Sequence, residues 1–132
     1  MQARSYTAIS ILLAILAFVF LTNVARAQDA AKVDSAHYKV EFENDQVRVL
    51  RITYGPGEKS VMHEHPEGVA VFLTDHLSKF TYPDGKTEEL SAKPGQAIWV
   101  PAGKHLPQNI GDETLELILV ELKSKDQMQK KE

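Results

Sequence analysis

The chain has 132 residues, 43% of them apolar, and a formal net charge of −3. That length supports one domain of ordinary globular composition, and the absence of any Lys/Arg cluster in the central region excludes a phosphate-binding, nucleic-acid partner. There is no cysteine, so disulfides and thiolate metal sites are excluded and any metal must sit on imidazole, carboxylate or water.

Met1 to Ala27 reads as a secretory signal peptide: Arg4 supplies the positive start, Ala8 to Leu21 an apolar run, and Ala25-Arg26-Ala27 the small residues of a cleavage site. The run of 14 residues is shorter than the roughly 20 needed to span a bilayer. The mature protein is therefore expected to start near Gln28, to be periplasmic or secreted, and to have no stable membrane insertion. About 105 residues remain, enough for one modest core. Residues 28–37 are small, polar and charged, and are expected to form a flexible lead-in with His37 solvated.

From Tyr38 the period is two. Tyr38–Glu43 and Val47–Tyr54 each alternate apolar with charged residues across an Asn44-Asp45 turn, predicting a half-buried antiparallel hairpin. Gly55-Pro56-Gly57 breaks the chain ahead of His63-Glu64-His65. Val69–Leu73 is a continuous apolar run, expected as a strand buried on both faces. Lys79–Tyr82 and Lys86–Leu90 flank Pro83-Asp84-Gly85 as a second hairpin, followed by strands at Ala97–Val100 and Leu115–Leu122. The tail, 124–132, is charged, without apolar periodicity, and is expected to be disordered. Many short strands with Gly and Pro turns predict an all-β sandwich or jelly-roll barrel over 38–123.

Two stretches carry candidate chemistry. Gly57 to His65 ends in His-x-His, and Gly95 to Asn109 runs through Pro101-Ala102-Gly103 to His105 and Asn109. Alternation along a strand puts His63 and His65 on one face and Glu64 on the other, which is how a strand presents two imidazoles to one ion. Two such histidines are also compatible with plain exposed neighbours, until His105 arrives as a third. Glu67 is the nearest carboxylate and the candidate acid/base, although Pro66 and Gly68 favour a turn around it. Trp99, Phe72, Phe80 and Tyr82 either line a ligand pocket or fill the core. Gln96 is a candidate partner for an imidazole, Lys104 either meets an anionic substrate or is a surface lysine, and His76, after Thr74-Asp75, is expected at an exposed turn.

The paired patterns G-x5-H-x-H and G-x5-P-x-G with H-x3-N resemble those of the cupin superfamily, small β-barrels that usually hold a divalent metal on three His and one Glu. The likeness spans about Tyr38 to Lys123. It implies a single cupin-type jelly-roll β-barrel, the double-stranded β-helix, with His63, His65 and His105 as ligands of Fe, Mn, Ni or Zn. It also implies a small-molecule ligand or substrate in the barrel and pairing of sheets into a homodimer, for which the Val69–Leu73 run is the expected surface. A dioxygenase-like or isomerase-like enzyme and a non-catalytic ligand- or metal-binding module both agree with this resemblance. The sequence departs from the family in two places. The usual carboxylate ligand is replaced by Val69 or Ala70, with Val69 expected in the metal-facing slot and Ala70 opposite, and one residue is missing between Gly103 and His105.

Overall fold

A computed structural model of the protein describes residues 28–124. The signal peptide expected over 1–27 and all but the first residue of the tail expected over 124–132 lie outside the described residues. A short helix, α1 (Ala30–Val33), precedes nine strands: β1 (Tyr38–Glu43), β2 (Val47–Tyr54), β3 (His63–His65), β4 (Gly68–Phe72), β5 (His76–Thr81), β6 (Thr87–Ala92), β7 (Ala97–Val100), β8 (Gly103–Asn109) and β9 (Leu115–Leu122). They form two antiparallel sheets, ordered β1-β2-β9-β4-β7 and β3-β8-β5-β6, the all-β sandwich the alternation predicts. Among the described residues no helix is long and apolar enough to cross a membrane.

β2, β4 and β9 follow their side-chain alternation, whereas β1 is not the half-buried strand expected: past Tyr38 its apolar Val40 and Phe42 are exposed, on an edge strand whose register shifts between them. In β2 and β9, Leu50, Ile52, Tyr54, Leu115, Leu117 and Leu119 are buried and make the core with Tyr38, Ala70 and Phe72. Asn44 closes the first hairpin by accepting from the main-chain N–H of Gln46 and Val47, each at 2.8 Å, the Asx chemistry that turns favour. The glycines that open the two motifs, Gly57 and Gly95, have φ of 76° and 83°. Each makes a left-handed turn that side chains other than glycine disfavour, and so feeds the chain into its histidine or proline strand.

Three further expectations need correction. The lead-in 28–37 is not loose: Asp29 caps α1 by accepting from Ala31 N–H, Ala30 is buried, and Glu64 N–H donates to Gln28 O at 2.9 Å. The segment thereby shields β3, an edge strand of three residues, from open pairing. His37 is likewise not solvated. It stacks on Tyr54 at 4.4 Å between ring centroids and bonds Asp34 at 2.8 Å.

The third correction concerns Val69–Leu73. Only alternate residues are fully buried: Gly68, Ala70 and Phe72 face inward, while Val69 and Val71 are half-buried on the outer face and Leu73 is exposed. Gly68 belongs to the strand and not to a turn. A Cβ there would lie 2.2 Å from Val120 O, so the close approach of β4 to β9 requires glycine.

Candidate functional site: a cavity with a histidine cluster

A cavity of about 360 Å³ lies between the sheets. Its walls are mostly apolar, with Ile52, Phe72, Leu90, Ile98 and Leu117 among them, and its polar lining includes His63, His65, His105, His76 and Ser78. The four-stranded sheet supplies all five of these side chains. β3 and β8 pair so that His63 lies directly opposite His105, and His65 opposite Gly103. Alternation puts His65 on the same face, and the three rings gather with centroids 5.1 Å (His63–His105), 4.6 Å (His65–His105) and 6.4 Å (His63–His65) apart. Phe80 stacks on His105 at 4.9 Å. Gly103, opposite His65 and two residues before His105, leaves open space where a side chain would stand.

The rings are held by hydrogen bonds that define their tautomers. His63 Nδ1 donates to Val61 O at 2.9 Å and lies 3.2 Å from Ser60 Oγ, whose hydroxyl donates to Asp34. Its Nε2 accepts from the Tyr38 hydroxyl at 3.2 Å, which in turn accepts from Tyr54 at 2.9 Å. His65 Nδ1 donates to Pro66 O at 2.8 Å. Both rings therefore carry a proton on Nδ1, and in His63 the Nε2 is the accepting nitrogen. Burial, reinforced by the neighbouring imidazoles of His65 and His63, pushes His105 down to about 3. Burial also lowers His63 and raises Tyr38 and Tyr54. His63 and His105 are thereby held toward the neutral form, the protonation state an imidazole needs to ligate.

The donor set has the chemistry of a metal site without its full geometry. Among the described residues, no group of three or more His, Asp or Glu side chains stands arranged to hold an ion. Tyr38 engages His63 Nε2, and the one carboxylate that lines the cavity among the described residues is Glu88. Ala70 lines the cavity and Val69 does not, so the expected slot is shifted by one residue: the pleat of β4 turns Ala70 inward because Gly68 and Phe72 share its phase.

Of the other sequence candidates, Phe72, Tyr82 and Trp99 line the cavity, with Phe72 fully buried and Trp99 54% exposed at the rim. Gln96 and Glu67 do not line it. Gln96 accepts from Lys93 N–H at 2.6 Å and so caps the turn before β7. Glu67 is exposed, and its carbonyl accepts from Leu122 N–H. Lys104 stands at the rim 3.7 Å from Glu64. Asn109 is buried and acts as a latch: its amide donates to Tyr54 O, Gly55 O and Glu113 O, and its Oδ1 accepts from Gly111 N–H.

His76 is not at an exposed turn. It is 5% exposed, opens β5, bonds Ser78 Oγ through Nε2 at 2.7 Å and packs edge-on against Phe72. Burial pushes it down to about 4. The signal was present: Phe80 and Tyr82 as lining residues put Ser78 and His76 on the same face of one strand. A second missed group joins Arg48, Asp29 and Glu121. Arg48 bonds both Asp29 oxygens, at 2.7 and 2.9 Å, and Glu121 at 2.7 Å. Burial raises the Glu121 carboxyl against the pull of Arg48. At Asp29 the opposite holds, and Arg48 outweighs burial to keep the carboxyl below its usual range.

No family model and no curated protein matches the sequence. Solved structures do. A cupin domain from Bordetella pertussis Tohama I is 24% identical over 66% of this chain and 92% of its own, with a TM-score of 0.61. An RmlC-like cupin family protein with a double-stranded β-helix fold from Methanocaldococcus jannaschii is 23% identical over 74% of this chain and 87% of its own, with a TM-score of 0.54. A conserved protein with a double-stranded β-helix domain from Klebsiella pneumoniae is 18% identical over 76% of this chain and 98% of its own, with a TM-score of 0.51. With its two antiparallel sheets closing on an interior cavity, the protein has the cupin fold, the double-stranded β-helix.

Proposed function

We propose that the protein binds a divalent transition metal, one of Fe, Mn, Ni or Zn, on His63, His65 and His105, together with a small, largely apolar molecule in the adjoining cavity. One observation carries this reading: three histidine rings gather at one place in the cavity wall, two of them with Nδ1 tied to main-chain carbonyls. That arrangement orients imidazoles as ligands. A bound ion would supply Lewis acidity or an open coordination position. For the ion to take His63 Nε2, the Tyr38 hydroxyl must give up its hydrogen bond there. The chain's own residues support binding more than turnover. Glu67 is off the cavity, and Glu88, the one carboxylate lining it among the described residues, is exposed and accepts from the Tyr82 hydroxyl at 2.9 Å.

A second reading, a metal-free binding barrel, is favoured by the Tyr38 contact and by Ala70 at the carboxylate position. Elemental analysis of the protein purified without added metal or chelator decides between them. Near-stoichiometric transition metal supports the first reading, and a metal-free protein that takes up none on titration supports the second. The leader read at Met1 to Ala27 assigns this role to an exported protein, which intact-mass measurement of secreted material checks.

A further inference from the structure

The cavity has a second polar wall that the histidine cluster does not use. His76 and Ser78 are 5% and 2% exposed, line the cavity, and bond each other at 2.7 Å, yet His76 Nδ1 is buried without a hydrogen-bond partner among the described residues. Buried polar atoms in folded proteins are almost always satisfied, so an orphan of this kind points to a missing partner. The pair lies well away from the three histidines. Ser78 faces Asn109 across the β5–β8 ladder, and His105 is four residues back along β8, an offset of about 13 Å at strand rise.

Whichever way the shared proton points, the pair has one hydrogen bond left to give. If His76 Nε2–H donates to Ser78, the serine hydroxyl proton and the Nδ1 lone pair remain; if Ser78 donates, Nδ1–H remains. A hydroxyl both donates and accepts and so meets either arrangement. Among the described residues no cation or carboxylate is bonded to the pair, and burial disfavours the charged form of His76, so a charged group there would go uncompensated. Phe72, packed on His76 at 4.7 Å, and Phe80, two residues along the strand from Ser78, give the approach an aromatic wall.

We infer that His76 and Ser78 form a second binding subsite, which takes the hydroxyl of a neutral, compact, apolar or aromatic molecule seated in the cavity. The inference rests on the reading that the cavity takes a small molecule, and is independent of whether a metal is bound.

The test is calorimetric titration of metal-free protein with p-cresol and with toluene, which differ only by the hydroxyl. Wild-type protein is expected to bind p-cresol about tenfold more tightly, the worth of one well-made buried hydrogen bond. The double variant Ser78→Ala with His76→Phe is expected to bring that ratio close to one, whereas each single variant leaves one partner for the hydroxyl and is expected to lower the ratio part way. Unchanged toluene affinity in each variant shows that the cavity is intact; should the double variant lose toluene as well, Ser78→Ala with His76→Leu decides. Equal binding of the two probes by the wild type, or a ratio that survives the double variant, overturns the subsite and leaves the cavity reading standing. Binding of neither probe overturns both.

Discussion

His63 and His105 lie directly opposite each other in the β3–β8 ladder with ring centroids 5.1 Å apart at 89°. Two imidazoles this close, with His65 beside them, can be neutral together but not charged together. Burial and the neighbouring rings hold His105 near 3 in the folded chain, against 6.5 when free. The unfolded chain therefore takes up a proton that the folded chain refuses. Stability from this group is complete above about pH 6.5 and is lost as pH falls toward 3, at most ~1.4 kcal/mol per pH unit. Urea unfolding in the presence of chelator between pH 7 and 5 should show this decline, and His105→Phe should make it shallower. A variant with the wild-type slope would show that His105 is not the group responsible.

Ala70 faces the cavity and Val69 faces out. Ala70→Glu should raise divalent affinity at neutral pH by adding an anionic ligand, and should destabilise the metal-free protein by burying an unpaired charge. Val69→Glu, on the half-buried outer face, should change metal affinity little. Parallel metal titrations of the two variants check this; tightening by Val69→Glu alone would reverse the assignment of the β4 faces.

Glu121 is 1% exposed and depends on Arg48, its direct partner across the β2–β9 ladder. Arg48→Met should cost about 3–5 kcal/mol, because it leaves a buried carboxylate without its cation. The double variant Arg48→Met with Glu121→Gln should recover much of that loss in denaturant unfolding. No recovery would mean that Arg48 acts through packing or through Asp29.

Gly68→Ala should be among the most damaging single-methyl additions in the chain, since the new Cβ meets the Val120 carbonyl at 2.2 Å. Overpacking of this kind costs about 1–3 kcal/mol, and backbone on both sides leaves little room to relax. Thermal unfolding measures it, and a wild-type midpoint would show that β4 and β9 separate easily.

Much of this molecule is readable from alternation alone. The hairpin at Tyr38–Glu43 and Val47–Tyr54, the strand at Ala97–Val100 and the strand at Leu115–Leu122 have the bounds their patterns predict. So does the meeting of His63 and His65 on one face, because a strand has only two faces. The polar interior was less legible, since a buried charge looks like a surface charge until its partner is known. Yet the phase was there: Leu115, Leu117 and Leu119 carry Glu121 inward, Leu50 and Ile52 carry Arg48 inward, and the two meet in register. The face of β4 was misjudged because a run of five apolar residues from Val69 to Leu73 has no polar residue to mark its phase. The packing of residues 28–37 was illegible for another reason: what orders it is a set of long-range contacts, Asp29 with Arg48 and Gln28 with Glu64, that no local pattern announces.

The histidine cluster itself is tested most directly by titrating Co(II), a visible-absorbing stand-in for the native ion, into wild-type protein and into His63→Ala, His65→Ala and His105→Ala at pH 7.5. The expected result is one saturable site per chain in the wild type, with ligand-field bands of nitrogen coordination. Loss of at least about tenfold in affinity is expected in each variant, and release of the ion only at acidic pH below the usual imidazole range, because burial holds His63 and His105 below it and so delays the competing protonation. Binding that is absent from the wild type, or that all three variants retain unchanged, would contradict a metal site on these residues.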